Sequence, residues 1–400
     1  MTEWRRVRVG GLATTKGLVG GPFGSSLGSK DYVESGVPVI RGINLGSKSK
    51  FSGQEFVFVA PEKAHGELAR NIAIPGDIVF TQRGTLGQVG IVPSFPFDKY
   101  VISQSQMRLR VDPNIAITEF VYYQFRSPEM IRTIHSRAIT TGVPHINLGI
   151  LGDLEITLPP LSEQRAIATV LGALDDKIAV NERIATTGDE LLTASFSSSL
   201  VMNPQQFIDQ PLSRTAEFVN GRAFTKDATG SGRMVIRIAE INSGPGPSTI
   251  YNEIDVPDRH LARPGDVLFA WSGSLTVARW YRPESIINQH IFKVIPKNGM
   301  APWLAFELIR LKLAEFRGIA ADKATTMGHI QRRHLDEPVP VPTTELLARL
   351  DTELGPLWDR ALAAEQESLA LTALRDALLP QLMSGRLRVR DAEQIVEDAL

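Results

Sequence analysis

Leu158-Pro159-Pro160-Leu161-Ser162-Glu163-Gln164-Arg165 decides how this chain is read, because a proline-marked exit there opens into a long helical pattern. Two prolines forbid helix, and Ser162 is then expected to act as an N-cap with acidic residues close behind it. Apolar residues follow at Ile167, Leu171, Leu174 and Ile178, then at Ile184, Leu191 and Leu192. This alternation of threes and fours is the seam of a helix that lies along another helix. From Ser162 to Ser199 such a helix would measure about 57 Å at about 1.5 Å per residue. That is too long for the inside of a small domain, so the segment reads as a spacer.

A second segment of the same kind runs from Thr343 to Leu379, with apolar positions at Leu347, Leu350, Leu354, Leu357, Ala361, Leu371, Leu374 and Leu378. Gly355-Pro356 predicts a kink or short break, and Pro380 with Gly385 predicts its end. The two segments are expected to pack antiparallel through Ile167, Leu171, Leu174, Ile178, Leu350, Leu354, Leu357, Leu371 and Leu378. Asn181 falls on this seam and is expected to be partly exposed where the seam is ragged, rather than to set register.

What lies before each helical segment repeats. Pro75-Gly76-Asp77-Ile78-Val79-Phe80 returns as Pro264-Gly265-Asp266-Val267-Leu268-Phe269, and Arg83-Gly84-Thr85-Leu86 as Ser272-Gly273-Ser274-Leu275, both at an offset of 189. Val39-Ile40-Arg41 is echoed by Val235-Ile236-Arg237, Ser103-Gln104 by Asn288-Gln289, and Thr140 to Ile146 by Thr325 to Ile330. Leu158-Pro159-Pro160 has its counterpart in Val339-Pro340-Val341-Pro342. Within the blocks, 56–59, 77–80, 106–111, 267–270 and 290–294 read as strands, and 118–136 and 302–317 as one helix each, the latter with Pro302 in its first turn.

The fold class is therefore α+β: two similar α/β domains separated by two long antiparallel helices, a tandem repeat with pseudo-twofold symmetry. The expected divisions are 1–160, 161–200, 201–342 and 343–400.

Of 400 residues, 43% are apolar and 22% charged, as in ordinary globular proteins. The formal net charge of -1 conceals a partition, +4 over 1–160, -3 over 161–200, +3 over 201–340 and -5 over 341–400. Two mildly basic blocks permit DNA binding without requiring it. Without cysteine there is neither a disulfide framework nor a thiolate metal site. No run approaches the roughly 18 apolar residues of a membrane helix, and no signal-peptide core follows Met1, so a cytoplasmic location is expected. Walker A loops, dinucleotide fingerprints and zinc spacings are missing, and Asn203-Pro204-Gln205-Gln206 begins like an amino-methyltransferase motif but lacks its second proline and aromatic.

Leu158 to Arg165, the following Leu174-Asp175-Asp176-Lys177-Ile178 and Asn181, and the tail Leu374-Arg375-Asp376-Ala377-Leu378-Leu379-Pro380-Gln381-Leu382-Met383-Ser384-Gly385 resemble specificity subunits of type I restriction-modification systems. The Pro-Gly-Asp strand and the Thr-Thr-Gly…His-Ile segment also resemble their target-recognition domains. The second proline exit departs from the pattern, being followed by Thr343-Thr344-Glu345, and Gly10-Gly11-Leu12 lacks an acidic residue common there. The resemblance implies a non-catalytic subunit that reads a split double-stranded DNA target, one half per block, with the helices setting the gap. It implies two docked methylation subunits, which use S-adenosylmethionine to methylate adenine, and restriction subunits joined through that core. No cofactor, metal or membrane is expected for this chain itself. A two-domain scaffold that does not read DNA, and a single-chain DNA-modifying enzyme, are the competing readings.

Base readout needs polar or cationic side chains on loops, and phosphate clamping needs cations or free amides. In the first block the candidates are Ser25, Ser26, Lys30, Arg41, Asn44, Arg83, Thr85, Thr140, Thr141 and His145. In the second they are Arg222, Lys226, Arg237, Ser272, Ser274, Asn288, Gln289, His290, Thr325, Thr326 and His329. His145 and His329 echo one another and are expected to fix loop structure or touch DNA rather than to catalyse.

Overall fold

The computed structural model describes residues 4–24, 26–46, 50–53, 55–321 and 328–399. The chain divides into two compact units, Met1–Ala179 with Leu371–Leu400, and Val180–Ala370. The sequence-based divisions at 160, 200 and 342 place each helix in a segment of its own, whereas the structure gives each unit a globular block and a stretch of both long helices.

Those helices span Leu161–Met202 and Thr344–Met383. The first begins one residue before Ser162, and the Pro160 carbonyl accepts from the amides of Glu163 and Gln164 at 2.9 and 3.0 Å. Ser162 is thus inside the helix rather than its cap. Gln164 does the anchoring, donating to the Pro159 carbonyl at 2.8 Å and accepting from the Ile117 amide at 2.9 Å. The second helix is unbroken through Gly355-Pro356, where the buried side chains of Leu350, Leu354 and Trp358 outweigh one lost backbone bond. It also runs through Pro380, because Leu378, Leu379, Leu382 and Met383 are all buried, and ends before Gly385, whose φ is +68°.

In the first unit, β1 (Arg5–Arg8) pairs with β11 (Glu155–Leu158). Between them lie β2 (Ala13–Gly20), β3 (Tyr32–Val33), β4 (Val37–Ile40), β5 (Val57–Val59), β6 (Ile72–Ala73), β7 (Ile78–Thr81), β8 (Val89–Ile91), β9 (Tyr100–Ile102) and β10 (Gln106–Val111). They form two sheets, β2-β10-β7-β8 and β3-β5-β4-β9-β6. The expected helix over 118–136 is two helices, Thr118–Arg126 and Pro128–Arg137. Ser127 makes the break, capping the second through Oγ, with Pro128 in the first turn. One core joins this block to its stretches of the long helices, and Ile167, Leu171, Leu174, Ile178, Leu371 and Leu378 are all buried in it.

In the second unit, β12 (Phe207–Pro211) pairs with β21 (Pro338–Pro342). Between them are β13 (Ala216–Asn220), β14 (Arg233–Ile236), β15 (Ile250–Asn252), β16 (Leu261–Ala262), β17 (Val267–Ala270), β18 (Thr276–Arg279), β19 (Ser285–Ile287) and β20 (Ile291–Pro296). The sheets are β13-β20-β17-β18 and β15-β14-β19-β16, the orders of the first unit less one edge strand. The registers agree too. Parallel partners Val39↔Val101 and Ile40↔Ile102 in the first unit become Val235↔Ile286 and Ile236↔Ile287 in the second. The helix expected over 302–317 extends to Ala321, with Pro302 at its start. Leu350 and Leu354 are buried with Leu192, Phe196 and Trp358, while Leu357 is half-buried at the rim of that core. Leu191 is half-exposed and leaves the seam to Leu192.

Asn181 is fully buried, and its Nδ2 donates to Glu367 Oε2 at 2.9 Å. The expectation of a ragged, partly exposed position is overturned: a polar contact sits inside the seam, where it disfavours shifted pairings of the two helices.

Candidate nucleic-acid interface

The repeated Pro-Gly-Asp turn launches the central strand of each sheet. Gly76 and Gly265 take φ of +85° and +92°, which L side chains rarely adopt. Asp77 Oδ2 accepts the Ile74 amide at 2.9 Å, and Asp266 Oδ2 accepts the Arg263 amide at 2.7 Å. Each strand then runs to the end of the sheet where the candidate loops meet.

In the first unit that end is tied by backbone bonds. The Gln82 amide donates to the Ser105 carbonyl at 2.7 Å, Ile146 to Gln82 at 2.9 Å, Gly84 to Pro144 at 3.2 Å and Ser103 to Ile40 at 3.0 Å. Arg83 and His145 are bridge partners, so two loops separated by sixty residues of sequence lie side by side. Gly21 passes so near Ser103 that an added Cβ would sit 2.1 Å from the Ser103 carbonyl oxygen. Arg83, Thr85, Thr140, Thr141 and Lys30 are exposed, and Ser26, Arg41 and His145 are half-buried. His145 Nδ1 lies 3.1 Å from the Val143 carbonyl, so one ring nitrogen is spent on its own loop. Asn44 is buried, accepting from the Arg41 amide at 2.9 Å and donating to the Ser52 carbonyl at 3.1 Å. It shapes the loop and presents nothing to a ligand. Arg41 donates to the Glu55 carbonyl. Ser25 lies outside the described residues.

The second unit repeats the construction. Gly221 approaches Asn288 so closely that a Cβ would be 2.0 Å from its carbonyl oxygen. Trp271 donates through its amide to the His290 carbonyl at 3.1 Å, and Ile330 to Trp271 at 3.1 Å. Ser272 and His329 form the bridge that Arg83 and His145 form in the first unit, and Arg222 bridges Asn288. Arg222, Lys226, Ser274 and Gln289 are exposed. Ser272 and Asn288 are buried, yet Ser272 Oγ, Asn288 Oδ1 and the half-buried His290's Nδ1 have no hydrogen-bond partner in the protein. Unsatisfied polar atoms gathered at a loop cluster are groups for water or a ligand to satisfy. His290 is held at φ +73°. Arg237 is not available for phosphate, because its guanidinium binds Glu240 at 3.1 and 2.6 Å and the Ser248 carbonyl at 2.7 Å. Burial pushes the Glu240 carboxyl up, but Arg237 and the Thr249 hydroxyl outweigh it and hold that carboxyl below its ordinary range. Thr325 and Thr326 lie outside the described residues.

Two aromatic residues stand at these loop ends, Phe23 with no strong sequence signal and Trp271 at the start of the candidate loop 271–274. Phe23 is 86% exposed beside Gly24, where Gln104 Nε2 donates to the Gly24 carbonyl at 2.7 Å. Trp271 has its ring 5.1 Å from that of His290 and 6.3 Å from that of His329, and its Nε1 donates to Asn220 Oδ1 at 2.8 Å. The signal for both was positional: each follows a strand of the repeated set, after Gly20-Gly21 and after Val267 to Ala270. Among the described residues, no three His, Asp or Glu side chains gather as metal ligands, and no helix is long and apolar enough to cross a membrane.

Residues 65–187 match the family model described as the type I restriction modification DNA specificity domain. The MjaIX type I restriction enzyme specificity subunit of Methanocaldococcus jannaschii is 23% identical over 420 aligned residues, covering 94% of this chain and 92% of that one. Along nearly its whole length this chain is similar to a type I restriction enzyme specificity subunit. The HindI specificity subunit of Haemophilus influenzae is 29% identical over 131 residues, 32% of this chain and 28% of that one. In fold, the S subunit from M. genitalium superposes with a TM-score of 0.58 at 17% identity, covering 95% of this chain and 96% of its own. Specificity subunits are the non-catalytic component of their enzyme, and DNA-target recognition is the role this family supports.

Proposed function

We propose that this chain reads a split double-stranded DNA target, one half-site with each unit, and directs adenine methylation and restriction by partner subunits. The observation that carries this is the duplicated sheet order with the same bridges, Arg83 to His145 and Ser272 to His329, at the same loop cluster. Two similar scaffolds bearing unlike side chains suit the reading of two unlike sequences. In the first unit Arg83, Thr85, Thr140 and Thr141 are exposed donors and acceptors for base edges, and Lys30 serves phosphate. In the second, Gln289, Ser274, Arg222 and Lys226 play those parts, with Trp271 and the two histidines as a platform.

The long helices set the unread gap between half-sites. They also dock methylation subunits, two in number, which bind S-adenosylmethionine and carry out the transfer, and restriction subunits join through that core. The chain binds no cofactor of its own and works in the cytoplasm. Mapping methylated adenines in the host genome with and without this gene tests the reading. Loss of one split, asymmetric methylated sequence is expected, and an unchanged pattern in a host whose methylation subunit is active overturns it.

A further inference from the structure

The first unit has a second electropositive feature, removed along the sheet from the loop cluster. A cleft of about 770 Å³ is lined by Lys16, Arg70, Arg108 and Arg110, with Thr15 and an apolar floor that includes Leu18 and Ile72. No acidic residue lines it. Arg110 is neutralised by buried Asp77, through bonds of 2.7 and 2.8 Å. Arg108 is buried and shares that same carboxylate at 3.6 Å, donating otherwise to the carbonyls of Ile72 at 3.1 Å and Lys16 at 3.3 Å. Its Nε is buried without a partner. Lys16 and Arg70 are exposed and make no ion pair among the described residues. Of the four cations, only Arg108 and Arg110 are paired, and both with Asp77.

The duplication supplies an internal control. Register matches Arg108, opposite Val19, to Lys293, opposite Val219. Lys293 is fully occupied, by Asp266 at 2.8 Å and the Leu261 carbonyl at 2.7 Å. The counterpart of Arg110 is Ile295, Lys16 lies in the irregular stretch of β2 that β13 lacks, and the counterpart of Arg70 is Arg259, which is paired with Glu217. In the second unit the three cations of that surface are all paired, Lys293 with Asp266, Arg259 with Glu217, and Arg263, which stands where Ile74 lines the first cleft, with Asp258 and Glu284. The excess charge in the first unit is therefore not demanded by the scaffold.

We propose that this cleft is an anion site for a phosphate group. An uncompensated guanidinium N–H beside free cations forms charge-assisted bonds to phosphate oxygens, roughly twice as strong as neutral ones. The phosphate belongs either to a DNA backbone outside the half-site or to a free phosphorylated molecule, and the chemistry is shared.

The test is calorimetric titration of the full chain with inorganic tripolyphosphate, comparing wild type with the double variant K16Q/R70Q, whose altered side chains are exposed. Wild type is expected to bind, the double variant to bind about tenfold or more weakly, and R259Q, in the second unit, to bind like wild type. Equal binding by K16Q/R70Q with an unchanged thermal transition, or no binding by wild type at millimolar tripolyphosphate, overturns the proposal. Adding target duplex separates the sources: competition assigns the site to backbone phosphate, and unaffected binding assigns it to a free anion. Only that last arm rests on the proposed DNA reading, whose own failure would leave the tripolyphosphate result standing.

Discussion

Asp175 and Arg375, 200 positions apart in sequence, meet at 2.8 Å with both side chains buried. One residue belongs to each long helix, and the second Asp175 oxygen accepts the Tyr123 hydroxyl at 2.7 Å. A helix-to-helix contact and a helix-to-block contact thus share one carboxylate. Burial, together with the Asp175 charge, drives the Tyr123 hydroxyl far above its ordinary value, so it remains a donor at any working pH. Burial works against the Arg375 charge, but Asp175 and Asp376 outweigh it and hold the guanidinium charged.

Removing one partner of such a pair strands a buried charge. Arg375→Ala is expected to destabilise the first unit by about 3–5 kcal/mol, read as a lower midpoint in urea unfolding. Arg375→Lys keeps the charge but not the fork that also holds Asp376, and should recover only part of the loss. Wild-type stability in Arg375→Ala would show that the pair does not hold this unit together.

Glu307 makes the opposite case. It is buried on the helix Pro302–Ala321, and burial raises its carboxyl above the ordinary value despite the Thr193 hydroxyl at 2.9 Å. A raised folded-state value means that the stability contribution is full at acid pH and is lost as pH rises through that value. Glu307→Gln should therefore stabilise the second unit at neutral pH, by about 1–3 kcal/mol, the cost of a buried group that is incompletely solvated. The gain should vanish toward pH 4, where the carboxyl is already neutral. Thermal unfolding of both proteins across this range is the check, and a variant less stable than wild type at pH 7 would refute the sign.

Much of the fold is legible in the sequence because the chain states it twice. The echoes 39–41 with 235–237 and 75–80 with 264–269 land on equivalent strands, since strand register cannot slip by one without exposing the core. What misleads is local chemistry overruled by packing. Pro356 and Pro380 read as breaks, yet buried neighbours carry the helix through both. Asn181 reads as a ragged spot because nothing in its own segment announces Glu367, 186 residues on. The candidate loops meet at one end of a sheet in each unit, but what their side chains do was less legible. Asn44 and Arg237 look like DNA contacts by residue type, and only tertiary structure shows them engaged with Ser52 and Glu240. Trp271 belongs to a strand end whose value lies in where it stops.

If the helices fix the gap, lengthening both where the units divide should lengthen it. Four helix-favouring residues inserted between Ala179 and Val180, and four between Ala370 and Leu371, leave Asp175 to Arg375 and Asn181 to Glu367 undisturbed within their units. The insertions add about 6 Å of rise and about 40° beyond a full turn. With roughly 3.4 Å per base pair, the preferred gap should grow by one or two pairs while both half-sites stay the same. Methylation of targets with graded gaps reads this out, and an unchanged preferred gap would assign the spacing to another element.

If each block reads its own half-site, exchanging blocks should exchange half-sites, and the structure marks where the blocks can be exchanged. The Val9 amide donates to the Leu154 carbonyl at 2.8 Å, and the Leu212 amide to the Glu337 carbonyl at 3.1 Å, closing each block just inside its β1–β11 or β12–β21 pair. Residues 212–337 can therefore be replaced by a second copy of 9–154, with both long helices kept. The measurement is the adenine-methylation motif directed by this chain with its methylation partner. An inverted repeat of the first half-site, at the original gap, is the predicted result; methylation of the original asymmetric target by the exchanged chain would contradict it.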